Sequence, residues 1–209
     1  MTAPILPKTR LVVLTLAGLA AATPALAHHP MGGMTPATLA QGLLSGLGHP
    51  VIGLDHLAAL VGVGLVASRF ARGLTLPAFW MAAMAAGVGL HLMSASLPYG
   101  ETLVALSVVA IGLAATIRTT LPYALIATLF AAGGAVHGYA LGEAIIGAEA
   151  TPLAAYLVGL VTVQTVLTTG VAFAARSFSN GAFHKPALRL AGVAVAVTGV
   201  ATLALPAFA

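Results

Sequence analysis

Residues 153–175 read Leu153-Ala-Ala-Tyr156-Leu-Val-Gly-Leu160-Val-Thr-Val-Gln164-Thr-Val-Leu-Thr168-Thr-Gly-Val-Ala-Phe173-Ala-Ala175, without one charged side chain. A helix needs roughly 20 mainly apolar residues to cross the hydrocarbon of a bilayer, and this stretch reaches that length. Similar apolar stretches occupy 51–66, 76–97, 103–117, 122–141 and 186–205. The first and third of these five are short and imply tilt. A further segment, 36–47, is too short to span and reads as a re-entrant or interfacial helix feeding the span at 51–66. The expected fold is all-α: a polytopic membrane bundle of six transmembrane helices.

Composition points the same way. Of 209 residues, 60% are hydrophobic and 6% charged, with 8 Lys+Arg, 4 Asp+Glu and 7 His, and the mean hydropathy is +1.07. Soluble domains carry about a quarter charged residues, so a soluble enzyme is excluded. The absence of Cys removes disulfides, iron–sulfur clusters and thiolate metal sites. Residues 1–27 read as a secretory signal: Lys8 and Arg10, an apolar run over 11–22, then Ala25-Leu26-Ala27 as an A-x-A cleavage site before His28. The competing reading, an uncleaved first span, needs a longer apolar run and no Pro24. The mature chain, 28–209, is then a single transmembrane domain.

The charges orient it. Arg69 and Arg72 follow the first span, Arg118 the third, and Arg176, Lys185 and Arg189 surround the fifth link. Alternate links thus hold every basic residue of the mature chain, and the positive-inside rule makes those links cytoplasmic. The links at 98–101 and 143–151 contain acids and no Lys or Arg. Both mature termini are expected outside the cytoplasm. The isoelectric point near 10.0 reports this one-sided arginine and lysine, not a nucleic-acid partner. Gly62-Val63-Gly64, Gly87-Val88-Gly89 and Gly133-Gly134 are small-residue sites for close helix packing.

Ionisable groups within apolar spans cost roughly 2.5–3.5 kcal/mol on insertion scales and usually mark a pathway or site. The segment Gly48-His49-Pro50-Val51-Ile52-Gly53-Leu54-Asp55-His56 is the densest case. Pro50 suits the first turn of a helix and biases His49 out of helical geometry. That places His49 at the helix entrance, with Asp55 and His56 one to two turns inside. Two imidazoles and a carboxylate within about 10 Å of helix rise suit a borderline divalent ion such as Ni²⁺, Co²⁺ or Zn²⁺. The plainer reading is an Asp–His pair that fastens helices. His91 in the second span, Glu101 at the start of the third, and His137 and Glu143 in the fourth extend the candidate metal pathway, all expected in the outer half. His28 and His29 at the new terminus can capture metal or be a solvated tail. Gln164, Thr165, Thr168 and Thr169 suit packing hydrogen bonds as well as a pathway lining, whereas His184 and Glu149 read as surface.

His49-x5-Asp55-His56, preceded by Ser45-Gly46-Leu47-Gly48, resembles the signature of the HupE/UreJ family of nickel permeases. The signal peptide ending at a His, the Leu97-Pro98-x2-Glu101 step and the His137-Gly138-x-Ala140-x-Gly142-Glu143 stretch extend the resemblance over essentially the whole mature chain. Family members often carry a second His in the fourth span, where this chain has Leu141, and one in the fifth, where it has Gln164 and Thr168. The resemblance implies secondary import of Ni²⁺, a transported substrate and not a prosthetic group, across a bacterial inner membrane with both mature termini in the periplasm, serving hydrogenase or urease maturation. An intramembrane metalloenzyme and a metal-binding accessory protein are the alternatives. The first needs a tightly held ion and a general base, the second binding without uptake.

Overall fold

The computed structural model of the protein describes residues 34–117, 119, 121–177 and 184–204. The expected signal peptide, its cleavage site and His28 and His29 lie outside these residues. Helices and short 3₁₀ turns make up the regular structure, with no strand among the described residues. They are α1 (Leu39–Ile52), α2 (Leu54–Ala67), α3 (Leu76–Leu92), α4 (Gly100–Thr116), α5 (Tyr123–Gly142), α6 (Ala150–Ser177) and α7 (His184–Ala204). Each of the expected apolar stretches is helical. Four helices, α3, α5, α6 and α7, are long and apolar enough to cross a membrane, some with an adjoining 3₁₀ turn, and α4 is a shorter apolar helix. The fifth candidate is α1 and α2 together, bent by 77° at Gly53. The chain is therefore a multi-pass membrane protein.

The start of the bundle differs from expectation. Thr38 caps α1 through a capping box: its hydroxyl accepts from the Gln41 amide, and the Gln41 side chain accepts from the Thr38 amide. The helix then runs through His49 and Pro50 to Ile52. Pro50 thus lies in the last turn of a helix, not the first, and His49 is helical. The prolyl ring removes the bond to the Gly46 carbonyl, and the helix stops within another turn. At Gly53 the backbone is extended (φ −71°, ψ 107°) and α2 begins, so Asp55 and His56 occupy its first turn, not a position one to two turns inside. The helix expected over 76–97 ends at Leu92, where Ser94 turns left-handed (φ 59°).

Packing follows the small residues. A Cβ on Gly42 or Gly46 of α1 would strike the Pro152 or Tyr156 carbonyl of α6, and one on Gly159 would lie 2.6 Å from the Leu43 carbonyl oxygen. In the same way Gly87 of α3 and Gly134 and Gly138 of α5 bring those two backbones together, and Gly112, Gly192 and Gly199 join α4 to α7. In lipid there is no hydrophobic drive between helices, so close backbone approach supplies the attraction. The result is three tight pairs, α1–α6, α3–α5 and α4–α7, with α2 packed against α4, α6 and α7. Around α2, Leu60, Val63, Ile111, Ile126, Phe130 and Trp80 form the core.

One end of the bundle carries the arginines. Arg69 donates to the carbonyls of Ala114, Ile117 and Thr119 (3.0, 2.6 and 3.0 Å), and Arg176 donates to those of Ser68 and Phe70 (3.2 and 2.5 Å). These guanidinium groups satisfy carbonyls that the ends of α2 and α4 leave without helical partners. Partial burial and the neighbouring Arg189 hold the Arg69 guanidinium below its usual value. The opposite end is closed by Tyr139, whose hydroxyl donates to the Ala95 carbonyl (2.8 Å) and accepts from the Leu97 amide (3.2 Å).

Candidate metal pathway at the break between α1 and α2

His49, at the end of α1, and Asp55 and His56, at the start of α2, meet across the bend and are all buried. The break needs a residue without a side chain. A Cβ on Gly53 would lie 2.9 Å from Cδ2 of His56 and 3.2 Å from Oδ1 of Asp55. The Asp55 carboxylate accepts from the His56 backbone amide at 2.8 Å. It therefore sits at the N-terminus of α2, where the partial positive charge of unpaired amides favours an anion. From His56 to the arginine-bearing end α2 rises roughly 16 Å, about half of a hydrocarbon core of ~30 Å. A carboxylate is thus held by a backbone donor at a helix start about half a core thickness from the arginine-bearing end.

Other helices complete the cluster. Nδ1 of His56 is 2.7 Å from Nδ1 of His137 on α5, and Nε2 of His137 is 3.0 Å from the Ser107 hydroxyl on α4. On the other side, Nδ1 of His49 is 3.1 Å from the Tyr156 hydroxyl on α6. That hydroxyl also donates to the Leu141 carbonyl at 2.6 Å. The His49 and His56 rings stand edge to face with centres 5.7 Å apart. Trp80 of α3 lies against His137, ring centres 4.9 Å apart, and its indole N–H donates to the Gln164 amide oxygen at 2.8 Å. The Gln164 Nε2 is buried without a hydrogen-bond partner among the described residues. Six helices thus supply side chains to one buried polar track in an apolar bundle.

Two nitrogens on one ion at about 2.0–2.1 Å and a tetrahedral angle are roughly 3.3 Å apart. The 2.7 Å between His56 and His137 is shorter, so these two atoms share a proton, not an ion. Accordingly, no group of three His, Asp or Glu side chains forms a metal cage among the described residues.

The candidates expected in the outer half separate by depth. His49, Asp55, His56 and His137 come together near the middle. Glu101, in the first turn of α4, and Glu143, in a 3₁₀ turn after α5, are exposed. His91, in the last turn of α3, stacks on Tyr139 with ring centres 4.3 Å apart. It borders a cavity of about 350 Å³ with Ser94, Ser96 and Gly147, and its Nδ1 is buried with no partner among the described residues. Of the polar residues on α6, Gln164 and Thr168 face inward, while Thr165 is exposed.

Sequence reading missed Tyr156, Ser107 and Trp80. Each is a polar or amphipathic group inside an apolar span, the signal that had singled out the histidines. Tyr and Trp also serve as ordinary interfacial or packing residues, and Ser commonly bonds its own helix, so that signal is diluted for them.

No solved structure matches the chain. Protein HupE of Rhizobium leguminosarum bv. viciae is 33% identical over 195 residues, which cover 92% of this chain and 96% of that protein. The family model described as HupE / UreJ protein matches residues 15–202. A match of that extent, on a chain whose His49-x5-Asp55-His56 element forms the buried centre of the bundle, places this protein in the HupE/UreJ family.

Proposed function

We propose that this protein is a permease that carries a divalent transition-metal cation, Ni²⁺ foremost and Co²⁺ or Zn²⁺ as competitors, inward across a bacterial inner membrane. The metal then supplies hydrogenase or urease maturation. The observation that carries this reading is the convergence of His49, Asp55 and His56 at a helix break near mid-depth. Non-helical backbone is tolerated at that depth only where it is buried in protein or lines a cavity, and broken helices form ion sites in secondary transporters. Imidazole and carboxylate suit Ni²⁺ and its neighbours, and the carboxylate offsets part of their charge.

On this reading the cation arrives at the end bearing Glu101, Glu143 and His91, passes the His49–Asp55–His56 break and leaves at the arginine-bearing end. The mature termini lie in the periplasm, and the protein performs no covalent chemistry. Initial-rate uptake of ⁶³Ni²⁺ into liposomes containing the purified protein tests this. Saturable uptake, blocked by excess Co²⁺, is the expected result. Vesicles no more permeable than protein-free controls, combined with stoichiometric metal retained through purification, would instead favour an intramembrane metalloenzyme or a binding accessory.

A further inference from the structure

We propose that Trp80 of α3 and Gln164 of α6 form the inner gate of this bundle. The hydrogen bond between them bars the buried histidine cluster from the arginine-bearing end, and its release opens that side. That a cation passes the gate rests on the transport reading; that the bundle is barred there rests on packing alone.

Helix register sets the level of the pair. A Cβ on Gly134 of α5 would strike the Trp80 carbonyl, so Trp80 leaves α3 level with a residue three before His137. That is roughly 4–5 Å nearer the arginine-bearing end. On the other wall, α2 and α6 both finish at that end, where Arg176 donates to the Ser68 carbonyl. A Cβ on Gly64 of α2 would lie 2.7 Å from the Thr168 carbonyl oxygen of α6. Gln164, one turn before Thr168, is thus near the level of Leu60, one turn past His56. The Trp80 indole fills the space between these walls. Its centre is 4.9 Å from that of His137, and a Cβ on Gly133 would lie 2.9 Å from it.

Beyond this layer the described core is mainly apolar. Val63, Ile111 and Phe130 lie one to two turns past His56, Ser107 and His137 and are buried. Thr168 is buried too, but it donates its hydroxyl proton to the Gln164 carbonyl of its own helix at 2.8 Å. An ion leaving the cluster for the arginine-bearing end therefore meets the Trp80–Gln164 bridge first.

The bridge is suited to letting go. An indole N–H only donates, so the atom it meets at 2.8 Å is the amide oxygen of Gln164. The amide nitrogen is then left buried without a partner among the described residues. A buried donor without an acceptor is costly, so closure holds the amide at one end and penalises it at the other. Opening admits water to that nitrogen and offsets part of the cost of breaking the bridge. The closed and open arrangements are thereby kept close in free energy, as a gate requires.

The chain has no cysteine, so one introduced thiol is the sole target of a methanethiosulfonate reagent. Ser107→Cys puts it on the cluster side of the bridge, where the native hydroxyl is 3.0 Å from Nε2 of His137. Thr119→Cys, exposed at the arginine-bearing end, marks that face. Metal-free proteoliposomes are labelled with a membrane-impermeant, cationic reagent from each face separately. From the Thr119 face, the thiol of Ser107→Cys should react far more slowly than that of Thr119→Cys. Adding Trp80→Phe, which keeps a ring without the N–H, should raise its rate about two- to tenfold, the shift that one lost hydrogen bond gives an opening equilibrium. Gln164→Leu, which keeps bulk without the acceptor, should do the same. Equal rates for the two thiols in the otherwise native chain would overturn the barrier. Rates unmoved by the bridge variants would overturn the gate and leave the bond as packing. If one variant does not insert, the other decides, because both break the same bond. A bridge that opens as described, in a protein that moves no ⁶³Ni²⁺, would overturn the transport reading and leave the gate standing.

Discussion

Asp55 is the residue on which charge compensation turns. Its carboxylate lies buried at the first turn of α2, accepting from the His56 amide. At an effective dielectric near 20 a charge pair about 4 Å apart is worth about 4 kcal/mol per unit charge on each partner, and more for a divalent ion. Asn has the same shape and its amide oxygen can still accept from the His56 N–H, so the helix start survives the exchange. Asp55→Asn should therefore reach the membrane at wild-type levels and lower ⁶³Ni²⁺ uptake at least a hundredfold. Equal uptake at equal protein level would remove Asp55 from the pathway. At this scale the sequence was informative for Asp55, His49, His56 and His137, because ionisable groups in an apolar span are conspicuous. It was silent on their neighbours Ser107 and Tyr156, distant in the chain and chemically ordinary.

The helix break shows how an element-level rule goes astray. Pro50 marks a helix start when its missing N–H falls among the unpaired amides, yet the same residue is tolerated in the last turn of α1 because Gly53 ends the helix directly after it. The decisive residue was Gly53, and its requirement is steric: the His56 ring and the Asp55 carboxylate occupy the space of its absent side chain. Gly53→Ala should displace the His56 ring and raise half-saturation for Ni²⁺ about tenfold, with membrane level unchanged. A wild-type uptake curve would show that the break has room to spare. The helix pairs allow a sharper comparison. Gly138 faces the Met84 carbonyl so closely that a Cβ has no place, whereas nothing lies within 4 Å of a Cβ on Gly170. Gly138→Ala should then cost about 1–3 kcal/mol of stability through forced separation of α3 and α5. Gly170→Ala should instead gain about 0.5–1 kcal/mol from helix propensity. Denaturant titration of the purified protein measures both, and equal effects would refute the packing argument. Small-residue sites were legible in the sequence, but their partners were not, because a glycine carries no information about which backbone it meets.

For the whole molecule, the basic residues that suggested an orientation prove to be structural as well. Arg69 ties the end of α2 to that of α4, and Arg176 ties the end of α6 to the turn after α2, so the charges that favour cytoplasmic retention also close that end. A reporter active only in the cytoplasm should work near residue 180, and one active only outside should work after Ala209; either result reversed would invert the pathway. Orientation then fixes the driving force. A dication moving from outside to inside crosses a field worth about 2.3 kcal/mol per charge per 100 mV, hence about 4.6 kcal/mol for a divalent ion at 100 mV, a roughly two-thousandfold accumulation at equilibrium. Asp55 stays in the protein and cannot cancel the charge that moves, so transport of the bare cation must be electrogenic. In liposomes with a potassium diffusion potential set by valinomycin, initial ⁶³Ni²⁺ uptake should therefore rise as the interior becomes negative and fall when the potential is reversed. Uptake indifferent to potential but driven by an outward proton gradient would mean that two protons leave for each ion entering. The buried imidazoles would then be the exchange site as well as the ligands, and the simple permease would give way to an antiporter built on the same three histidines.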